Sequence, residues 1–169
     1  MRIVKLTPER WPEYKELRLT ALRTDPDAFG ATYASSLARP DEWWQGVLEA
    51  AEIDPNRTVL FAEVGGELVG LAGAYPEQEA GCVDVTQMFV RPEHRGKGIG
   101  RALLKAVVEE VKAEKIRLCV NSDFPAAVAL YKDFGFEVIA ESEGVRSDGS
   151  RFPEYFMELR RQSGDNCRS

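Results

Sequence analysis

The chain has 169 residues, 44% hydrophobic and 30% charged, which is the size and balance of one globular domain able to bury a core. Its 22 basic and 28 acidic residues leave a formal charge of −6, which argues against a nucleic-acid partner, since that needs a clustered basic surface, and suits a cationic substrate better. No run is apolar enough for a signal peptide or a membrane span, and Cys82, Cys119 and Cys167 are odd in number and widely spaced, so the expectation is a cytoplasmic protein with no membrane partner, disulfide framework or metal site.

Ile3 to Leu6 reads as a short strand, and Thr7 before Pro8 and Glu9 reads as the N-cap of a helix running to Arg23, with an apolar stripe of Tyr14, Leu17, Ala21 and Leu22. Asp25-Pro26-Asp27 ends it, and Pro40 to Ile53 is a second helix. Thr58 to Val64 and Glu67 to Tyr75 read as strands joined by the Gly65-Gly66 hairpin signal, and Cys82 to Val90 as the next strand of the meander, closed by Arg91-Pro92. A helix from Arg101 to Val111 places Ala102, Leu103, Ala106, Val107 and Val111 at three- and four-residue spacing. Ile116 to Val120 is a strand, and Ala127, Leu130, Tyr131 and Phe134 stripe a helix that stops at Gly135. Phe136 to Ala140 and Phe152 to Leu159 complete the pattern as strands around a turn at Ser147-Asp148-Gly149. The order β-α-α-β-β-β-α-β-α-β-β predicts an α+β (α/β) fold, a mostly antiparallel central sheet flanked by helices on both faces. The strands ending at Val90 and Val120 run parallel through their crossover helix. Residues 1–161 form one domain, and 162–169 a polar, disordered tail.

The segment Arg95-Gly96-Lys97-Gly98-Ile99-Gly100 joins a strand to a helix. Glycine lets the backbone come close to a ligand, and the helix start aims free N–H groups and the positive end of its dipole at whatever lies above, so an anion such as a pyrophosphate belongs there. Arg101 stands where a Rossmann fingerprint needs its third glycine, and no Gly-Lys-Ser/Thr follows as in a P-loop. The pattern that fits is [RQ]-x-x-G-x-[GA], through Arg95, Gly98 and Gly100.

The element order, the run from Val90 through Arg95-Gly96-Lys97-Gly98-Ile99-Gly100-Arg101 to Leu104, and Ala129-Leu130-Tyr131-Lys132-Asp133-Phe134-Gly135-Phe136 together resemble the GCN5-related N-acetyltransferase (GNAT) family over almost the whole chain. The resemblance implies the acyl-CoA N-acyltransferase fold, acetyl-CoA as acyl donor with coenzyme A as product, and direct transfer to a primary amine of a small molecule or peptide. Gly96 to Arg101 would take the pyrophosphate on backbone N–H groups, with charge added by Arg95 and Arg101. Met88, Phe89 and Val90 align with the strand segment that pairs with the pantetheine arm and faces the developing oxyanion. The arm would enter a splayed gap between this strand and Ile116 to Val120. Tyr131 aligns with the family tyrosine that protonates the leaving thiolate.

Two family positions differ. Where many members carry an asparagine that meets the cofactor, this chain has Phe124, and Asn121 is the nearest amide. Where protein N-terminal acetyltransferases of the family often carry a glutamate base, it has Cys119, which lowers a protein terminus or lysine as acceptor. A non-catalytic acyl-CoA-binding module remains the alternative outside enzymes. Asp84 and Glu63 are candidates for taking the proton from an ammonium substrate, Cys82 and Cys119 are expected as buried inert thiols, and His94 as a solvated loop residue. Phe29, Tyr33, Trp43, Trp44, Phe152 and Tyr155 could line an acceptor pocket or be core. Asp27 to Ser36 would be a mobile lid, and a homodimer is a reasonable expectation.

Overall fold

A computed structural model describes residues 1–146 and 148–161. Its strands are β1 (Arg2–Val4), β2 (Thr58–Val64), β3 (Glu67–Pro76), β4 (Cys82–Val90), β5 (Lys115–Asn121), β6 (Glu137–Val145) and β7 (Arg151–Arg160), and its helices are α1 (Trp11–Thr24), α2 (Tyr33–Leu37), α3 (Asp41–Ile53), α4 (Ile99–Glu110) and α5 (Pro125–Phe134). One sheet runs in the order β1-β2-β3-β4-β5-β7-β6, antiparallel except where β4 meets β5. The expected architecture holds. The tail expected at 162–169 lies outside the described residues, as does Ser147 of the last turn.

Both faces of the sheet are buried at β2 and β3, so Val59 to Ala62 and Leu68 to Ala74 are apolar throughout rather than alternating. On one face Leu60, Ala62, Val69, Val83, Val85, Ile116 and Leu118 pack against Ile99, Leu103, Leu104 and Val107 of α4. On the other, Val59, Phe61 and Leu71 pack against Tyr14, Leu17 and Leu22 of α1 and Trp44 and Leu48 of α3. Gly65 and Gly66 both have positive φ, 60° and 84°, which fits the tight hairpin between β2 and β3.

Several boundaries depart from expectation. β1 is Arg2–Val4 rather than Ile3 to Leu6, and Thr7 opens only a 3-10 turn over Pro8–Arg10 before α1 starts at Trp11. Pro12 is the reason: it has no N–H for the Pro8 carbonyl, so the α-helix must begin around it. Helix α4 begins at Ile99 instead of Arg101, immediately after the left-handed Gly98. Strands β6 and β7 are longer than expected. Their polar stretch Glu141-Ser142-Glu143 forms the outer edge of the sheet, where no apolar alternation is needed to hold it.

Candidate active site

The centre of the site is a break between β4 and β5. Their parallel ladder has only three pairs, Cys82 with Lys115, Val83 with Ile116 and Asp84 with Arg117, and beyond it the strands part. The cause lies in β4. Its register against β3 shifts so that Gln87 and Met88 together oppose Ala72, a β-bulge, and Gln87 takes φ +59°, the one described non-glycine residue with positive φ. One extra residue reverses the faces: Val83 and Val85 belong to the α4-side core, whereas Phe89 belongs to the α1-side core. From Val85 to Val90 the strand therefore presents an unpaired edge to the gap.

The bulge is held from beneath. Tyr14 donates its hydroxyl to Gln87 Oε1 at 2.9 Å, and Gln87 Nε2 donates to the Tyr75 hydroxyl at 2.6 Å. Burial pushes both phenols above their ordinary range, so both stay protonated.

At the top of the gap the loop after β4 turns through Gly96 (φ +73°) and Gly98 (φ +80°) into α4. A side chain at either glycine would meet no protein atom, so the space beside both is open. Among the described residues no protein acceptor takes the N–H groups of Gly96 to Arg101, and the first turn of α4 has no acidic residue. Open space, free donors and a helix dipole fit a pyrophosphate.

Gap and loop share one cleft of about 600 Å³. Of the twelve site residues expected from sequence, it brings together Tyr131, Met88, Phe89, Val90, Arg95, Gly96, Gly98, Ile99, Gly100, Arg101 and Asn121; Lys97 alone stands outside it, its Nζ donating to the Glu93 carbonyl at 3.1 Å. Two of these residues are engaged elsewhere. Arg95 is ion-paired with Asp25 and donates through Nε to the Val90 carbonyl at 2.8 Å, so it clasps loop to strand. Asn121 donates to the Asp27 carbonyl at 3.1 Å and accepts from the Asp123 N–H at 2.9 Å, which leaves one amide hydrogen for a ligand. Both pairings join segments far apart in sequence, beyond what motif spacing conveys.

Tyr131 is only 7% exposed and stacks edge-on against Phe136 with ring centroids 6.0 Å apart. Among the described residues its hydroxyl makes no hydrogen bond, yet it lines the cleft. Burial raises its pKa, keeping the proton on the phenol at any physiological pH.

The two candidate bases separate. Glu63 pairs with Arg2 across the β1–β2 ladder, away from the cleft. Asp84 forms the last β4–β5 pair, where the strands begin to part; it lies between Val83 and Val85, so its carboxyl points to the face opposite α4. Burial, aided by the charge of Glu77, lifts its pKa to about 7.

Three other expectations change. Cys82 is buried, but Cys119 is exposed and lines the cleft. Desolvation and then the charges of Asp84, Glu154 and Glu77 push the Cys119 thiol up to about 12, so it is no nucleophile at neutral pH. The segment expected as a lid holds a 3-10 turn at Pro26–Ala28 and helix α2 with a Thr32–Ser35 capping box, and the Asp27 carbonyl is gripped by Asn121 and Arg146. It is a pinned wall. Phe29 from this segment reaches the cleft, whereas Trp44 is core, edge-on to Tyr14 at 5.1 Å. His94 lines the cleft, half-buried, where a solvated side chain was expected.

A family model described as Acetyltransferase (GNAT) family matches residues 11–136, from α1 through the cleft to Phe136. The chain belongs to the GNAT acetyltransferase family. It is therefore an N-acetyltransferase that takes its acetyl group from acetyl-CoA and delivers it to an amine. It is 30% identical over 149 residues to N-alpha-acetyltransferase RimI of Mycobacterium tuberculosis, covering 85% of this chain and 90% of that one. It is also 30% identical over 133 residues to mycothiol acetyltransferase of Saccharomonospora viridis, covering 78% of this chain but only 39% of that protein. A GNAT-family acetyltransferase structure from Streptococcus pneumoniae superposes with a TM-score of 0.83 at 19% identity, over 95% of this chain and 99% of its own, a likeness of fold. No described helix is long and apolar enough to cross a membrane.

Proposed function

We propose that the cleft acetylates a primary amine of a small molecule or short peptide by direct transfer, with Tyr131 as proton donor and Asp84 as proton acceptor. The observation that carries this reading is the placement of Tyr131, the free N–H groups of Gly96 to Arg101 and the open edge of β4 around one cleft, with Asp84 where its strands divide. Bound acetyl-CoA supplies the acetyl group as a thioester. The N–H groups at the start of α4 hold its pyrophosphate, and the unpaired edge from Met88 to Val90 orients its amide-bearing arm as it would a neighbouring strand. Donors on that edge also receive negative charge developing on the acyl oxygen. Asp84, with a pKa near neutrality, takes a proton from the incoming ammonium, directly or through water, and Tyr131 gives one to the departing sulfur. No acyl-enzyme is needed, in keeping with thiols at Cys82 and Cys119 that stay protonated.

A protein N-terminus as acceptor has the likeness to RimI in its favour, while Cys119 in place of the family's glutamate base counts against it. Free thiols at Cys82 and Cys119 suit a reducing cytoplasm. Measuring thiol release from acetyl-CoA across polyamines, amino acids, aminoglycosides, short basic peptides and peptides that copy protein N-termini tests the reading: turnover with a small amine or a short basic peptide is expected. Turnover confined to the protein N-terminal peptides reverses the choice, and acetyl-CoA binding without any turnover favours a binding module.

A further inference from the structure

Arg18, on α1, is 8% exposed, and among the described residues it makes no salt bridge and no hydrogen bond; its Nη1 is wholly buried without a partner. An arginine cannot shed its charge at physiological pH, and a buried cation without a counter-ion costs stability, so its retention needs a reason. The groups around it include no counter-ion. Tyr14 and Tyr75 are the titratable neighbours that act on it, and both are held protonated. The acids of the segment that follows α1 are engaged elsewhere, Asp25 with Arg95 and Asp27 with Arg146.

What Arg18 does touch leads to the cleft. Its guanidinium lies 4.4 Å from the centre of the Phe29 ring, and Phe29 lines the cleft. Tyr14 and Tyr75, its other neighbours, are the two phenols bound to Gln87, a second cleft-lining residue. The unpaired charge therefore stands behind the wall that Phe29 and Gln87 give to the α1 side of the site. On the β5 side the sign is opposite: Asp84, Glu154 and Glu77 all act on the Cys119 thiol in the cleft wall.

We propose that Arg18 anchors a carboxylate of the acceptor through its charge, acting across the Phe29 ring, and that the enzyme's substrate is a small zwitterion, an amino acid or a close relative, whose amine faces the acidic β5 side and whose carboxylate is drawn toward Phe29. This rests on the reading of the cleft as an amine-acetylating site. It refines the acceptor from any primary amine to one carrying its own anion, and a carboxylate on the cleft side of Phe29 gives the guanidinium, one ring's thickness away, the opposite charge that the protein withholds.

The test compares thiol release from acetyl-CoA with L-amino acids and with the matching L-amino-acid amides, in the wild-type protein and in Arg18→Met and Arg18→Lys. The wild type is expected to favour an acid over its amide by tenfold or more in kcat/KM. Arg18→Met should raise KM for the acid at least tenfold and leave KM for the amide and for acetyl-CoA unchanged. Arg18→Lys should recover part of the loss. Equal use of acids and amides by the wild type, or an equal fall for both in Arg18→Met, overturns the anchor while leaving the transferase reading intact. Thiol release from polyamines or peptides alone does the same, and no release with any amine sinks both.

Discussion

Tyr14 reaches from α1 to Gln87 at 2.9 Å and so ties a helix of the α1-side core to the single residue that bends β4 away from β5. That hydrogen bond, with the one from Gln87 to Tyr75, holds the bulge that opens the gap proposed for the acetyl group. Gln87→Ala leaves two buried hydroxyls without their partner, and one such group costs about 1–3 kcal/mol. A lower melting temperature is expected, together with a kcat loss larger than any change in acetyl-CoA affinity, because the cradle at Gly96 to Arg101 is untouched. Unaltered kcat in a destabilised variant would show that the bulge holds its shape without the tyrosines.

The cradle is tested at Gly98. Nothing in the protein obstructs a Cβ there, so Gly98→Ala incurs only the cost of a left-handed alanine, about 1–2 kcal/mol. Acetyl-CoA should bind at least tenfold more weakly by calorimetry, since the methyl group occupies space through which the pyrophosphate reaches the free N–H groups. Gly30, equally open but outside the left-handed region, is the control: Gly30→Ala should change neither stability nor acetyl-CoA affinity. Equal affinity in Gly98→Ala and wild type would remove the loop from the pyrophosphate site.

Asp84 makes a pH prediction whose sign follows from its environment. Its folded pKa, about 7, stands above the ordinary carboxylate value, so its contribution to stability is full below about pH 4 and is lost as pH rises through about 7. Asp84→Asn should therefore melt higher than the wild type at pH 8, with the advantage vanishing near pH 4. As the proton acceptor Asp84 must be ionised, so kcat/KM for the wild type should climb through about pH 7, and the Asn variant should lose both that limb and most of the rate. The same substitution removes a negative charge beside Cys119 and should quicken its alkylation. A limb near pH 7 that survives in Asp84→Asn would assign it to another group.

Much of this site was legible in the chain because it is local. Arg95 to Gly100 lies between an apolar strand and a striped helix, and Tyr131 sits in a second striped helix, so spacing alone placed them on the right elements. The bulge was hidden: Val85 to Val90 reads as an ordinary strand, and only pairing with β3 shows that Gln87 and Met88 share one partner. The pairings of Arg95 with Asp25 and of Asn121 with the Asp27 carbonyl join residues dozens of positions apart and depend on how α1 docks. Arg18 is one charged residue among several on α1, and its burial without a counter-ion depends on how that helix docks on the sheet. Pro12 was different, since its missing N–H was there to be read and set the start of α1.

The proton donor proposed for the leaving sulfur is Tyr131, in a cleft where transfer is direct. Its hydroxyl makes no hydrogen bond within the described protein, so Tyr131→Phe removes a proton donor while leaving packing and stability almost unchanged. The deciding measurement is kcat for Tyr131→Phe at saturating acetyl-CoA and amine, alongside the Kd for acetyl-CoA. A fall in kcat of about 10²–10⁴-fold at unchanged Kd is expected, the range for losing a general acid. A kcat equal to that of the wild type would contradict it.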